Sequence, residues 1–323
     1  MSQIAETAND NKVEALDQLN HMRKALDTLS QSEIVDLIQT SIMDYNVFNQ
    51  IELTTPHEVK ILEDAPRHYL FPEILTSVNQ DLPSALIGPA GSGKSTVCEQ
   101  VADALGFKYY LQNSVSGSHE LSGYMDAHGK YNGTAFRTAF EKGGLILIDE
   151  VDTSDPGALK WLNTALANGH AMFPDQSEPV RRSKDFRMII AANTFGNGAD
   201  RMYVGANQLD ASTLDRFVFF DFNYDEKLEL TLAGNPEWVR RVQELRKNAL
   251  AEKARIVISP RASIHGAKLL AAGWPADIVE KRVIWKGIDE ELRKRIDKNP
   301  VIKIGAFTST VSRKKLKAMR KAA

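Results

Sequence analysis

Gly88-Pro89-Ala90-Gly91-Ser92-Gly93-Lys94-Ser95-Thr96 is the stretch of this sequence that decides its fold. It fits the phosphate-loop pattern G-x-x-x-x-G-K-[ST] and sits where that pattern must sit. Ahead of it, Ala85, Leu86 and Ile87 form a short apolar run suited to a buried strand. Behind it, residues 97–102 read as the opening of a helix. Glycines at 88, 91 and 93 let the backbone wrap closely around a polyphosphate with its N–H groups aimed inward. The positive end of the following helix adds to that field. Lys94 is placed to reach the β and γ phosphates, and the Ser95 hydroxyl to bind Mg²⁺.

Outward from the loop, residues 51–222 alternate between strand and helix patterns. Strands are expected at 84–87, 108–111, 145–148, 186–192 and 217–222. Helices between most of them point to an α/β fold, a five-stranded parallel sheet covered on both faces. From residue 223 the pattern turns helical. Asn235 before Pro236 is a helix start, and Trp238, Val242, Leu245 and Ala249 mark its apolar face. Further helices are expected at 260–272, 276–285 and 289–297, giving a helical segment over 223–300. Residues 1–50 carry Val13, Leu16, Leu19, Met22, Leu26 and Leu29 at helical spacing, then a capping box at 30–33, and suit docking or assembly. Residues 301–323 form a basic tail.

The second chemical motif is Leu145-Ile146-Leu147-Ile148-Asp149-Glu150. Four apolar residues suit a strand buried on both faces, which delivers two carboxylates to the edge of the sheet where the phosphate loop lies. Asp149 is placed to hold Mg²⁺ and Glu150 to polarise an attacking water. Another apolar strand ends in Asn193, an amide suited to holding that water or sensing a γ-phosphate.

Bulk properties exclude several classes. The 323 residues carry a formal net charge of only -2, so no global polyanion-binding character shows. No apolar run is long enough to span a membrane. The opening MSQIAETANDNK is polar and acidic, unlike a secretory signal, and the cytoplasm is the expected location. Cys98 is the only cysteine, which leaves no internal disulfide and no multi-cysteine metal site.

In order along the chain, the phosphate loop, LILIDE at 145–150, AANT at 191–194, TLDRF at 213–217 and ISPRA at 258–262 resemble an AAA+ ATPase. The detail is similar to the MoxR branch, and within it to cobaltochelatase small-subunit-like ATPases, including phage-encoded relatives. Residues 120–124, 140–144, 162–169 and 224–229 support it, and the resemblance covers residues 55–285. It implies ATP and Mg²⁺ as cofactors, with Asn193 as first sensor. It implies that Arg216 is an arginine finger reaching the phosphate held by a neighbouring subunit of a homo-oligomeric, hexameric ring. Arg261 matches the second sensor on a helical lid, acting on its own nucleotide or a neighbour's. Arg201 is a rival for the finger.

Two hairpins are expected, one over 121–133 and one joining 171–175 to 180–182; in a ring both would face the central pore. Tyr124, Met125 and Tyr131 suit a polypeptide, while Arg181, Arg182 and Lys184 suit a phosphate backbone. His119 and His128 lack a metal-ligand spacing. Three functions fit these residues. One is an ATP-driven motor remodelling a protein or a chelatase-like complex, with a partner carrying a von Willebrand A-type domain. The second is a nucleic-acid translocase or helicase loader, and the third a nucleotide-gated scaffold.

Overall fold

The computed structural model describes residues 52–54, 59–61, 65–199 and 202–298. The helices expected in residues 1–50, the basic tail and Arg201 lie outside the described residues.

Buried apolar runs build the centre of the sheet. Strands β3 (Ser84–Ile87), β7 (Gly144–Ile148) and β10 (Phe186–Ala192) are almost wholly buried, as a strand covered on both faces must be. With β4 (Tyr109–Gln112) and β11 (Val218–Asp221) they form a five-stranded, all-parallel sheet in the order β11-β3-β10-β7-β4. Short antiparallel pairs stand apart from it: β1 (Glu52–Thr54) with β2 (Val59–Ile61), β5 (Tyr124–Met125) with β6 (Tyr131–Asn132), and β8 (His170–Ala171) with β9 (Val180–Arg181). The last two pairs are the hairpins expected from the sequence.

The two-residue period of a strand divides the core. Leu145, Leu147, Ile189 and Ala191 face α1 (Phe71–Asn79) and α2 (Lys94–Leu105), packing with Phe71, Ile74, Val97 and Cys98. Ile146, Ile148, Met188 and Ile190 face the other way, against Phe136 and Phe140 of α4 (Ala135–Lys142) and Leu159 and Leu162 of α5 (Pro156–Asn168). A one-turn helix α3 (His119–Ser122) precedes the first hairpin. The edge strand expected at 108–111 runs over Tyr109–Gln112, one residue later, and the Lys108 carbonyl just ahead of it accepts from Leu145 N–H.

Past the sheet come α6 (Ala211–Leu214), which precedes β11, and then α7 (Glu226–Ala233), α8 (Pro236–Ala251), α9 (Pro260–Ala271), α10 (Ala276–Val283) and α11 (Glu290–Ile296). Asn235 caps α8 by accepting from Trp238 N–H, with Pro236 in the first turn, as the sequence predicts. These helices share a separate core around Trp238, Val242, Leu245, Leu270, Val279 and Trp285. Helix α10 ends at Val283, short of residue 285, because Ile284 and Trp285 turn inward to fill that core.

Strand ends in register position the site. Ile87 lies beside Ala192, and Ile148 beside Ile190. The loops leaving β3, β7 and β10 therefore open side by side at one edge of the sheet, which is where ligands bind in open α/β folds. The exit from β3 is tight: Gly88 N–H donates to Ala192 O at 3.1 Å. A Cβ at Gly88 would stand 2.0 Å from the Phe222 carbonyl oxygen. Gly88→Ala is expected to cost about 1–3 kcal/mol of stability, since backbone rather than a flexible side chain must give way. Thermal denaturation checks this, and an unchanged midpoint would contradict it.

Candidate functional site

Lys94 opens α2 and is buried. Its Nζ donates to Gly88 O at 2.8 Å, to Pro89 O at 3.3 Å and to Asn193 Oδ1 at 3.1 Å. Burial lowers the Lys94 pKa, while the carboxylates of Asp149, Asp152 and Glu150 pull it back up. Ser95 Oγ donates to Asp149 Oδ2 at 2.8 Å, so the hydroxyl and carboxylate expected to share a divalent cation already meet. Asp149 Oδ1 accepts the Glu150 N–H at 2.9 Å. Glu150 itself has φ +52°, a left-handed backbone rare for a side-chain-bearing residue and concentrated at functional sites.

Behind these groups, Asp152 is buried, and its Oδ2 accepts three bonds of 3.0 Å, from Asn193 N–H, Thr194 N–H and Thr194 Oγ. That carboxylate fixes the end of β10 and so the position of the Asn193 amide. The Ser92 hydroxyl in the phosphate loop is buried with no partner among the described residues. An orphaned donor there suits an absent anion.

A cavity of about 510 Å³ joins these residues to the helices beyond the sheet. Ala90 to Val97 form one wall with Asp149, Glu150 and Asn193; Leu228, Leu232, Pro260, Arg261 and Ile264 form the facing wall. Pro260 and Arg261 lie in the first turn of α9. The start of α9 packs on the loop so closely that a Cβ on Gly91, which has φ +78°, would stand 2.8 Å from Ser259 Oγ. The far end is closed by Pro66, His68 and Gln100. His68 stacks on Phe222 at 3.8 Å and its Nε2 meets Asn223 O at 2.9 Å; burial lowers its pKa.

The residues expected from sequence fall into three groups. Ala90, Gly91, Ser92, Gly93, Lys94, Ser95, Thr96, Asp149, Glu150, Asn193 and Arg261 line this one cavity. Gly88 and Pro89 line a second cavity of about 780 Å³ behind the loop, and meet the site through the carbonyls that hold Lys94. Arg216 lines neither cavity. It is exposed, with no side-chain hydrogen bond or ion pair among the described residues, and forms no bridge to Asp215. It precedes Val218, which pairs with Ser84 at the start of β3, whereas the loop leaves the far end of that strand. The four-residue span alone is roughly 13 Å.

On the hairpins, Tyr124 is 51% and Met125 43% exposed, while the Tyr131 hydroxyl donates to Ser122 O at 2.7 Å. Arg182 is not free for a phosphate backbone: it pairs with Asp81 and lies over the Phe186 ring. His119 packs edge-on to Tyr124.

Several site residues escape the sequence reading. Asp152 follows LILIDE by two positions and looks like an ordinary acid at a helix start. Tyr203 and Tyr224 reach Ala90 from more than a hundred residues away, with no local signal.

Residues 83–217 match the family model described as the AAA domain of the dynein-related subfamily. Over 174 residues, half of this chain, the sequence is 24% identical to Midasin of Giardia intestinalis, and spans 3% of that protein's length. NtrX from Brucella abortus aligns over 91% of this chain and 60% of its own, with a TM-score of 0.42 and 14% identity. The matched residues lie in a five-stranded parallel sheet followed by a set of helices, the architecture of an AAA+ ATPase domain.

Proposed function

We propose that this protein is a Mg²⁺-dependent ATP hydrolase that works as a closed ring of six copies and remodels a protein partner, in the manner of the MoxR branch. The observation that carries this reading is the split between two sets of residues. The loop, Asp149, Glu150, Asn193 and Arg261 share one cavity, while Arg216 stands exposed near the opposite edge of the sheet. In the proposed assignment residues 51–222 form the nucleotide domain, 223–300 the lid, and 1–50 a docking segment.

Each residue takes a role from its place. Loop amides and Lys94 hold phosphate, with Lys94 leaving its present carbonyl partners to do so. Ser95 and Asp149 would hold Mg²⁺, a small hard cation that takes few protein oxygens and neutralises phosphate charge when bound. Glu150 activates water, Asn193 orients it, and Arg261 brings the lid's charge to the cleft. Arg216 serves the neighbouring copy, since a head-to-tail interface repeated by rotation closes into a ring.

The exposed apolar surface of the hairpins supports polypeptide over nucleic acid. Tyr124, Met125 and Met172 are half exposed. Of the three cations suited to a phosphate backbone, Arg182 is already paired, which leaves Arg181 and Lys184 exposed. By the MoxR resemblance, a partner with a von Willebrand A-type domain is proposed. Light scattering tests the ring: a non-hydrolysable ATP analogue should raise the mass about six-fold over the monomer. A fully active enzyme that stays monomeric would overturn the reading.

A further inference from the structure

The phosphate loop is held from behind by the segment that leads to the lid. Between Asp221, the last residue of β11, and Glu226, the first of α7, four residues cross from sheet to lid. Tyr224 is one of them. Its hydroxyl donates to Ala90 O at 3.0 Å, while the Ala90 N–H donates to Tyr203 Oη at 3.1 Å. Burial pushes the Tyr224 phenol up to about 12, so it keeps the proton that this bond requires.

Peptide planarity gives the bond a consequence. The Ala90 carbonyl and the Gly91 N–H belong to one trans peptide and point in opposite directions. Drawing the carbonyl towards Tyr224, which lines the second cavity, turns the Gly91 N–H away from that side, and Gly91 lines the first cavity, where phosphate is expected. Gly91 N–H has no partner among the described residues. With φ +78° and no Cβ, this peptide has little of its own to keep it from flipping.

The other side of Tyr224 is anchored in the lid. Its ring lies under Arg246, whose guanidinium carbon stands 4.5 Å from the ring centroid. Arg246 grips Glu229 through two bonds of 2.9 and 2.7 Å and donates to Ile258 O at 2.6 Å. Glu229 is buried and also accepts from Ser263 Oγ. One ionic cluster thus ties α7, α8 and α9 together, and α9 is the helix that carries Arg261.

We propose that Tyr224 is a positioning residue that couples the lid to the phosphate loop, holding the Ala90–Gly91 peptide so that the Gly91 N–H faces phosphate. The inference rests on reading the first cavity as a nucleotide site. It makes phosphate binding conditional on the position of the lid, because a hinge movement carries Tyr224 with it.

Tyr224→Phe removes the hydroxyl and keeps the ring under Arg246. Fluorescent mant-AMP, mant-ADP and mant-ATP, titrated into wild-type and variant protein, separate the alternatives. Affinity for mant-ADP and mant-ATP should fall about three- to ten-fold, the scale of one lost hydrogen bond, with mant-AMP nearly unchanged. An equal loss for all three would mean a general structural role and overturn the proposal, as would no loss at all. Hydrogen exchange on nucleotide-free protein gives a second measurement. Exchange across residues 88–93 should quicken in the variant while α8 and α9 hold; unchanged exchange in the loop counts against the tether. A wild-type protein that binds none of the three probes would instead refute the nucleotide site itself.

Discussion

Glu150→Gln protein is expected to bind ATP with wild-type affinity and to lose at least about 10²-fold in turnover, the scale of a missing general base. The groups proposed to hold phosphate and Mg²⁺ are elsewhere: Lys94, which bonds to Asn193, the amides of the loop, and Ser95 against Asp149. Glu150 contributes to none of those bonds, and its carboxylate has no hydrogen-bond partner among the described residues. Its backbone, held at φ +52°, is tied to Asp149 through one N–H bond of 2.9 Å. Such a conformation, which costs of order 1–3 kcal/mol, persists where surroundings enforce it, here between the buried end of β7 and the turn over Val151–Thr153. Glutamine matches glutamate in shape and removes only the basic oxygen. Parallel measurement of steady-state hydrolysis and mant-ATP binding decides the matter. Undiminished turnover would remove Glu150 from the mechanism.

Much of this site is legible in the sequence because its signals are local. Residues 84–87 and 186–192 are strands to the residue, since strands buried on both faces must be continuous apolar runs. The phosphate loop fixes its own context of strand, turn and helix, and Pro236 and Pro260 mark helix starts where the chain has them. Edge strands are less distinct because each has one open side, and β11 is shorter at both ends than residues 217–222 imply.

What stays hidden is whatever pairs residues far apart in the chain. The ion pair of Arg182 with Asp81 joins the second hairpin to the end of α1, and takes from the hairpin a cation that looks free when read along the chain. Glu229 and Arg246 are a helix apart and read as ordinary surface charges, yet Glu229 is only 1% exposed. Asp152 has the same character: nothing local distinguishes a carboxylate that serves a backbone three strands away in sequence order. The Glu150 backbone angle is invisible too, because no glycine marks it.

The claim on which the rest depends is that the ATPase site is shared between two copies of the chain. Arg216 should then be needed for turnover but not for binding. An arginine supplied to the transferring phosphate is worth about 10³–10⁵ in rate, so Arg216→Ala protein should bind ATP and scarcely hydrolyse it. The geometry supports action on a neighbour, since strand register sets Arg216 beyond the start of β3 while its own phosphate loop leaves the other end. Lys94→Ala protein should be inactive for a different reason, the loss of its phosphate contact. Neither variant alone has a complete site. In a mixed ring, an Arg216→Ala copy still offers Lys94, and a Lys94→Ala neighbour still offers Arg216. The direct test is ATPase rate against mixing ratio after the two variants are dissociated and reassembled together. The shared site predicts activity well above the sum of the separate variants, greatest at intermediate ratios; verified mixed rings with no recovery at any ratio would contradict it.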